Sequence, residues 1–346
     1  MNLNKEINLA SCEKLIRKQW LNLRVTIILL RRKNCRQLIR LVFTQIPLLS
    51  LFGDAFYQVV FHSRYYDYVN RKATRAFKEN IPVLTNDQQQ IVSTIKNDGI
   101  AVLSIQNISS KENIFTKLVE DADELIRPNL SRETDKNEVR PPKIRGLGRN
   151  VKGKVIPDSF IAFFLSDEVL AIVNSYAEKF SRLHYIDAWY NIPATDDDFI
   201  YSTEQWHRDH EDIKIIKVFL YLIDVDDANG CFFYLSGTQA GGKFAHINPV
   251  NPPRGVGANE QDITEIVSAD DAALKMCMGE EGTVIISDTS GFHKGGRTTG
   301  KIRKVLVAFY TSDASVDQHY YCLPESIDKS SLSSAAKYAF HLEDDL

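Results

Sequence analysis

Cysteine is scarce in this 346-residue sequence. Cys12, Cys35, Cys231, Cys277 and Cys322 are odd in number, widely scattered and never in CxxC spacing. That pattern excludes a disulfide framework or a zinc ribbon and points to a reducing, cytoplasmic compartment. Long apolar runs are missing too. The longest uncharged stretch near the N-terminus, Leu41 to Gly53, is well short of the roughly 20 apolar residues that a spanning helix needs. The first apolar run follows several charges and has no small-residue cleavage site, so neither a secretory signal nor a membrane crossing is expected. Internal repeats and low-complexity tracts are also absent.

What is present is ordinary in bulk and uneven in distribution. A hydrophobic share of 44% supplies enough residues for a sizeable core. The length suits one large domain with an appendage. The net charge of -3 conceals an asymmetry: residues 1–80 hold 15 Lys/Arg against 5 Asp/Glu, a balance of +10, leaving 27 basic against 40 acidic residues in the remainder. Residues 10–80 are also helix-prone, with Leu15, Leu21, Ile27 and Leu30 set among Arg17, Lys18, Arg24 and Arg31. Such a segment either lies on anionic lipid at the inner membrane face or packs as a helical layer with a solvated basic face. No nucleic-acid partner is expected.

The expected organisation is a basic helical segment over 1–82, a catalytic domain over 83–325 and a tail over 326–346. Thr85 to Lys96 reads as a helix opened by a Thr-Asn-Asp capping sequence, followed by a turn at Asp98-Gly99 and a β run from Ile100. Arg127–Val155 and Ile247–Asp262 are polar and rich in Pro and Gly, as long binding loops are. From about Ile186 onward, β runs dominate: Ile213–Val225, Gly230–Leu235, Thr283–Ser287 and Arg303–Thr311. Short strands parted by Gly, Asn, Asp and Pro clusters indicate a mainly β fold with flanking helices, a double-stranded β-helix (jelly-roll, cupin-like) barrel preceded by the helical segment.

The chemistry concentrates at two places. Gln205-Trp206-His207-Arg208-Asp209-His210 precedes a strand, and residues two apart in extended chain project from one face. His207 and Asp209 therefore offer an imidazole and a carboxylate together. Downstream, His293 follows the strand ending at Asp288. Two histidines and one carboxylate are the ligand types of the facial triad of non-haem iron(II), which leaves coordination positions open. Ten residues beyond His293, Arg303 opens a strand in which it shares a face with Val305, Val307 and Phe309. A buried arginine needs an anion, and its planar fork suits a carboxylate such as the distal one of 2-oxoglutarate. Oxidative decarboxylation of that cosubstrate with dioxygen would yield succinate, carbon dioxide and an oxidant able to take hydrogen from a substrate.

These segments resemble the phytanoyl-CoA dioxygenase family of Fe(II)/2-oxoglutarate-dependent oxygenases. Trp206-His207-Arg208-Asp209 matches its Trp-His-x-Asp; Asn229-Gly230 through Gly237-Thr238 matches its middle element, with Gln239 where a His is common; His293, Thr299 and Arg303 match its third. The resemblance spans Val83 to Ser312. It implies the cofactors Fe(II), 2-oxoglutarate and O2, metal ligation and catalysis by His207, Asp209 and His293, and cosubstrate contacts from Arg303 and Thr299. It also places a cosubstrate contact on the strand of Tyr190 and Asn191, where a Lys is more usual. Trp206 either lines the pocket or packs in the barrel wall.

Simpler readings stand beside these. His210 is expected to sit near the site without ligating, and His184 and His246 to be ordinary polar or loop histidines. Arg297 rivals Arg303 for the cosubstrate, but its Gly-rich surroundings read as an exposed turn. The expected activity is a dioxygenase that hydroxylates a small or lipid-linked molecule. The alternatives are a cupin-like binding protein without turnover and another oxidation, with halogenation disfavoured because it needs a small residue where Asp209 stands.

Overall fold

The computed structural model describes residues 60, 62–109, 111–129, 143–147, 155–194, 200, 202–247, 257–316 and 323–342. The basic amphipathic stretch of residues 10–59 lies outside the described residues, as do most of the 127–155 loop and positions 248–256 of the second loop. The chain divides into two compact units, residues 1–65 and 66–346, and the sheets and the candidate site belong to the second.

Its centre is two antiparallel sheets. The larger runs β1 (Ile100–Ser104), β7 (Thr283–Asp288), β4 (Ile216–Tyr221), β9 (Arg303–Thr311), β3 (Arg182–Asn191) and β2 (Lys143–Arg145) in spatial order. The smaller runs β6 (Leu274–Cys277), β5 (Phe232–Leu235) and β8 (His293–Gly295). Side chains of β3, β4 and β9 that face the smaller sheet, among them Tyr185, Phe219, Tyr221, Val305, Val307 and Phe309, meet Phe232, Tyr234 and Cys277 in one buried cluster. This is the double-stranded β-helix that the strand pattern predicts.

The opposite face of the larger sheet explains why β4 and β9 read as apolar runs: they are buried on both sides. Val218, Leu220, Leu306, Ala308 and Tyr310 pack there against the helices α4 (Asp158–Phe164) and α5 (Asp167–Ala177). Phe160, Phe163 and Phe164 are fully enclosed, each contributing about 1.5–3 kcal/mol of apolar burial. Among the described residues no single helix is long and apolar enough to cross a membrane, and the apolar α4–α5 pair lies in this core.

Helix α2 (Asn86–Asp98) starts at a complete capping box, in which Thr85 accepts from Gln88 N–H and the Gln88 side chain accepts from Thr85 N–H. It stops at Gly99, which takes the left-handed conformation (φ 79°) and turns the chain into β1. Helix α1 (Arg71–Glu79) and helix α7 (Ser334–Ala339) belong to the same unit: Phe77 meets Phe180, and Phe180 meets Tyr338, at ring separations of 6.3 and 5.6 Å. Arg182 bonds Asp313 Oδ1 at 2.6 Å and the Tyr338 carbonyl at 2.6 Å, so α7 is tied to the end of β3.

Candidate active site

The segment carrying His207 and Asp209 is not part of a named strand. It is stitched to the loop before β8 by backbone bonds: His207 and His293 exchange both N–H···O bonds at 3.0 Å, and Asp209 N–H donates to Thr289 O at 2.9 Å. That pairing brings the two imidazoles together, with ring centroids 4.3 Å apart. The donor atoms of His207, Asp209 and His293 all lie within 4.8 Å of one another.

Each imidazole has a fixed orientation. His207 Nδ1 lies 2.8 Å from Gln205 O, and His293 Nδ1 lies 3.0 Å from Gly291 O. A carbonyl only accepts, so Nδ1 carries the proton and Nε2 keeps its lone pair for a metal. Burial lowers the pKa of His207 below the ordinary histidine value, and burial together with the neighbouring His207 lowers that of His293 further. Burial opposes ionisation of Asp209, but Lys217 and the two imidazoles outweigh it and hold the carboxyl well below the usual carboxylate range. Two neutral imidazoles and one carboxylate are thus ready as ligands at neutral pH.

Arg208, between the two ligand positions, points away from the metal group and fastens the surrounding loops. Its guanidinium donates to the carbonyls of Thr238 and Ser290 and stacks 3.8 Å from the Phe292 ring. Burial lowers its pKa to about 10. Thr238 adds a second tie, accepting from Phe292 N–H at 2.8 Å and donating to Leu235 O at 2.6 Å. The middle sequence element therefore braces the loop that carries His293. Gly230 has φ 71°, and a Cβ there would collide with the backbone of Gly296 and Arg297, so the turn before β5 admits only glycine.

A cavity opens over the metal group, with about 830 Å³ of empty space including its solvent-open mouth. His207, Asp209, His293, Asn191 and Arg303 all line it. Arg303 is 8% exposed, and its Nε has no hydrogen-bond partner. Burial pulls its pKa down, which signals a guanidinium short of a counter-charge. The rival Arg297 lies 3.5 Å from Glu204 and does not line the cavity.

Three expected contacts are not brought there. Tyr190 follows strand alternation onto the opposite face from Asn191, where its hydroxyl bonds Asp123 and Lys304 Nζ sits 4.7 Å from its ring. Thr299 is exposed, its N–H donating to Ala228 O. Trp206 packs against Phe233, with Lys294 5.2 Å from its ring, instead of lining the cavity. His210 and His184 are outside the metal group, and His246 is exposed.

The sequence reading missed Lys217, Tyr185, Trp189, Phe219, Tyr221 and Glu204, all of which line the cavity. Lys217 left a visible signal. It is a single charge in the apolar run Ile215-Ile216-Lys217-Val218-Phe219, in phase with Phe219 and Tyr221. Its Nζ lies 2.5 Å from Asp209 Oδ2.

The fold and the partly buried His/Asp group present a candidate metal centre on a double-stranded β-helix. The chain belongs to the phytanoyl-CoA dioxygenase family, whose profile matches residues 87–305. That family comprises iron(II)- and 2-oxoglutarate-dependent oxygenases that consume dioxygen. No curated protein sequence matches the chain. Among solved structures it is similar to EctD from S. alaskensis with bound 2-oxoglutarate and 5-hydroxyectoine (16% identity, 73% of this chain and 86% of that one, TM-score 0.47). It is also similar to the epimerase SnoN in complex with Fe3+, alpha ketoglutarate and nogalamycin RO (12%, 65% and 83%, 0.46). A third similar structure is AviO1 from Streptomyces viridochromogenes (14%, 68% and 100%, 0.45).

Proposed function

We propose that this chain is a hydroxylase in which His207, Asp209 and His293 hold iron(II) on one face and Arg303 anchors 2-oxoglutarate. The observation that carries the reading is the convergence of two neutral imidazoles and one ionised carboxylate on a cavity that also holds a buried, partly unpartnered guanidinium. Two imidazoles and a carboxylate suit iron(II), and a fork without a carboxylate suits the distal end of a dicarboxylic acid. When bound, iron with 2-oxoglutarate and dioxygen supplies an oxidant that takes hydrogen from a C–H bond, the cosubstrate leaving as succinate and carbon dioxide.

The chain's own residues do the rest. His207 and His293 keep Nε2 unprotonated because their Nδ1–H groups are committed to carbonyls. Asp209 supplies the negative charge. Arg303 orients the cosubstrate, with Asn191, whose Oδ1 has no hydrogen-bond partner, lining the same cavity. Trp189, Tyr185, Phe219 and Phe232 exclude water from the reacting centre.

The substrate class we favour is a small or lipid-linked molecule. The balance of +10 over residues 1–80 supports peripheral docking of a cytoplasmic enzyme at an anionic inner membrane face. The test is succinate release from 2-oxoglutarate with Fe(II) and oxygen, against a panel of acyl, glycan and amino-acid compounds. A compound that stimulates release and gains one oxygen atom supports hydroxylation. Stimulated release without a hydroxylated product would assign another oxidation, and no release under any condition would favour a binding protein without turnover.

A further inference from the structure

Lys217 is 6% exposed near the start of β4. Its neighbours Ile216 and Val218 point into the core against the helices, whereas Lys217, Phe219 and Tyr221 point into the cavity. An ammonium is almost never buried without a counter-ion, and that of Lys217 is Asp209, 2.5 Å away. Asp209 is also the single carboxylate of the metal group, so its charge is committed once a divalent ion is bound.

The charges around the loaded cavity then do not close. Two positive charges on iron(II) and one on Arg303 balance one negative charge on Asp209 and two on 2-oxoglutarate. The Lys217 ammonium is left over. The other carboxylate lining the cavity, Glu204, faces Arg297 at 3.5 Å. Glu211 acts on Lys217 through space, but it does not line the cavity, and its Oε2 is held by the His210 N–H at 3.0 Å. Across the sheet Lys217 is flanked by the neutral residues Ser287 and Phe309, with Nζ 4.9 Å from the Phe309 ring.

The cosubstrate does not neutralise this charge if it is anchored at Arg303. In the β4–β9 register Lys217 pairs with Phe309, six residues along the strand from Arg303. Six residues are roughly 20 Å of strand at about 3.3 Å per residue. The backbones of the two cations are therefore well separated along the sheet.

We propose that the primary substrate carries an anionic group, a carboxylate or a phosphate, that pairs with the ammonium of Lys217. The inference rests on the oxygenase reading above. A neutral substrate would leave a desolvated ammonium beside a carboxylate already engaged by the metal, and a cationic one would add repulsion. Lys217 is then a specificity residue that selects a small anion whose apolar body lies among Tyr185, Trp189 and Phe219.

Anaerobic calorimetry on the full chain tests it, with Fe(II) and 2-oxoglutarate titrated first, then acetate, inorganic phosphate or neutral acetamide. The expected result is that acetate or phosphate binds the loaded protein and acetamide does not, and the tighter of the two anions identifies the headgroup chemistry. Lys217→Met and Lys217→Gln should each weaken that anion by at least about tenfold, the loss of one charge-assisted contact, while Lys217→Arg retains it. Equal binding of anion and acetamide, or unchanged anion binding in the neutral variants, overturns the proposal. So does a loss that falls on 2-oxoglutarate, which would make Lys217 a cosubstrate ligand. If the wild-type chain takes up neither Fe(II) nor 2-oxoglutarate, the oxygenase reading itself has failed, and the first two titrations show it.

Discussion

Replacing Arg303 with leucine removes the only buried guanidinium among the described cavity-lining residues and leaves the ligands of the metal group in place. The magnitude follows from the geometry. A forked pair to a carboxylate contributes two charge-assisted hydrogen bonds of about 1.5–3 kcal/mol each. Part is offset, because the carboxylate must leave water to reach a cavity whose guanidinium is already desolvated. The net loss is on the order of 2–4 kcal/mol of cosubstrate affinity, or about 30- to 900-fold in dissociation constant. Arg303→Leu should keep its fold, since no carboxylate among the described residues is within ion-pair distance of Arg303 and its apolar neighbours Val305 and Val307 remain. Anaerobic calorimetry of 2-oxoglutarate into the Fe(II)-loaded variant is the assay, with Arg297→Leu as the control. Iron affinity should barely move. A change in 2-oxoglutarate affinity below about threefold, or a larger effect from Arg297→Leu, would refute the reasoning.

Two further outcomes follow from the same site. Because burial lowers the pKa of both His207 and His293, protons should compete with metal only below the ordinary histidine value of about 6.5, so Fe(II) affinity should stay nearly flat between about pH 7.5 and about 6.5 and fall below that. The sign is the same for folding: a depressed imidazole pKa contributes stability above about 6.5 that is lost as pH falls toward the folded-state value, and metal affinity falling tenfold between pH 7.5 and 6.5 would contradict the assignment. For the basic segment, full-length protein should sediment with anionic vesicles at low salt and be released as salt rises, while a chain starting near Tyr66, which keeps the packed helix α1, should stay active and no longer sediment. Vesicle-independent behaviour of the full chain together with aggregation of the truncated one would make the segment part of the fold.

How much of this was legible in the sequence depends on what each residue had to satisfy. Strand β9 was readable over its whole length, because Val305 to Tyr310 is a continuous apolar run between polar turns. The Thr85 cap was readable because it rests on local bonds alone. Helices α4 and α5 were not, since a helix buried on nearly every side shows no amphipathic stripe. The metal group was legible in His207, Asp209 and His293 because a facial triad constrains residue type and order. The cavity wall was not, because it is assembled from five strands by register. Tyr190 and Asn191 show the limit most simply: consecutive strand residues face opposite ways, so at most one could line the cavity, and Asn191 is the one that does. Lys217 was overlooked for a related reason, as its partner Asp209 lies before the strand and meets it only through the fold.

The most direct measurement is anaerobic Fe(II) binding to wild-type protein and to Asp209→Ala, with stoichiometry from metal analysis and folding checked by circular dichroism. The account predicts one iron per chain in the wild type, and a folded Asp209→Ala protein that has lost most of its iron affinity and all 2-oxoglutarate turnover. A folded Asp209→Ala variant that binds iron and releases succinate as the wild type does would contradict it.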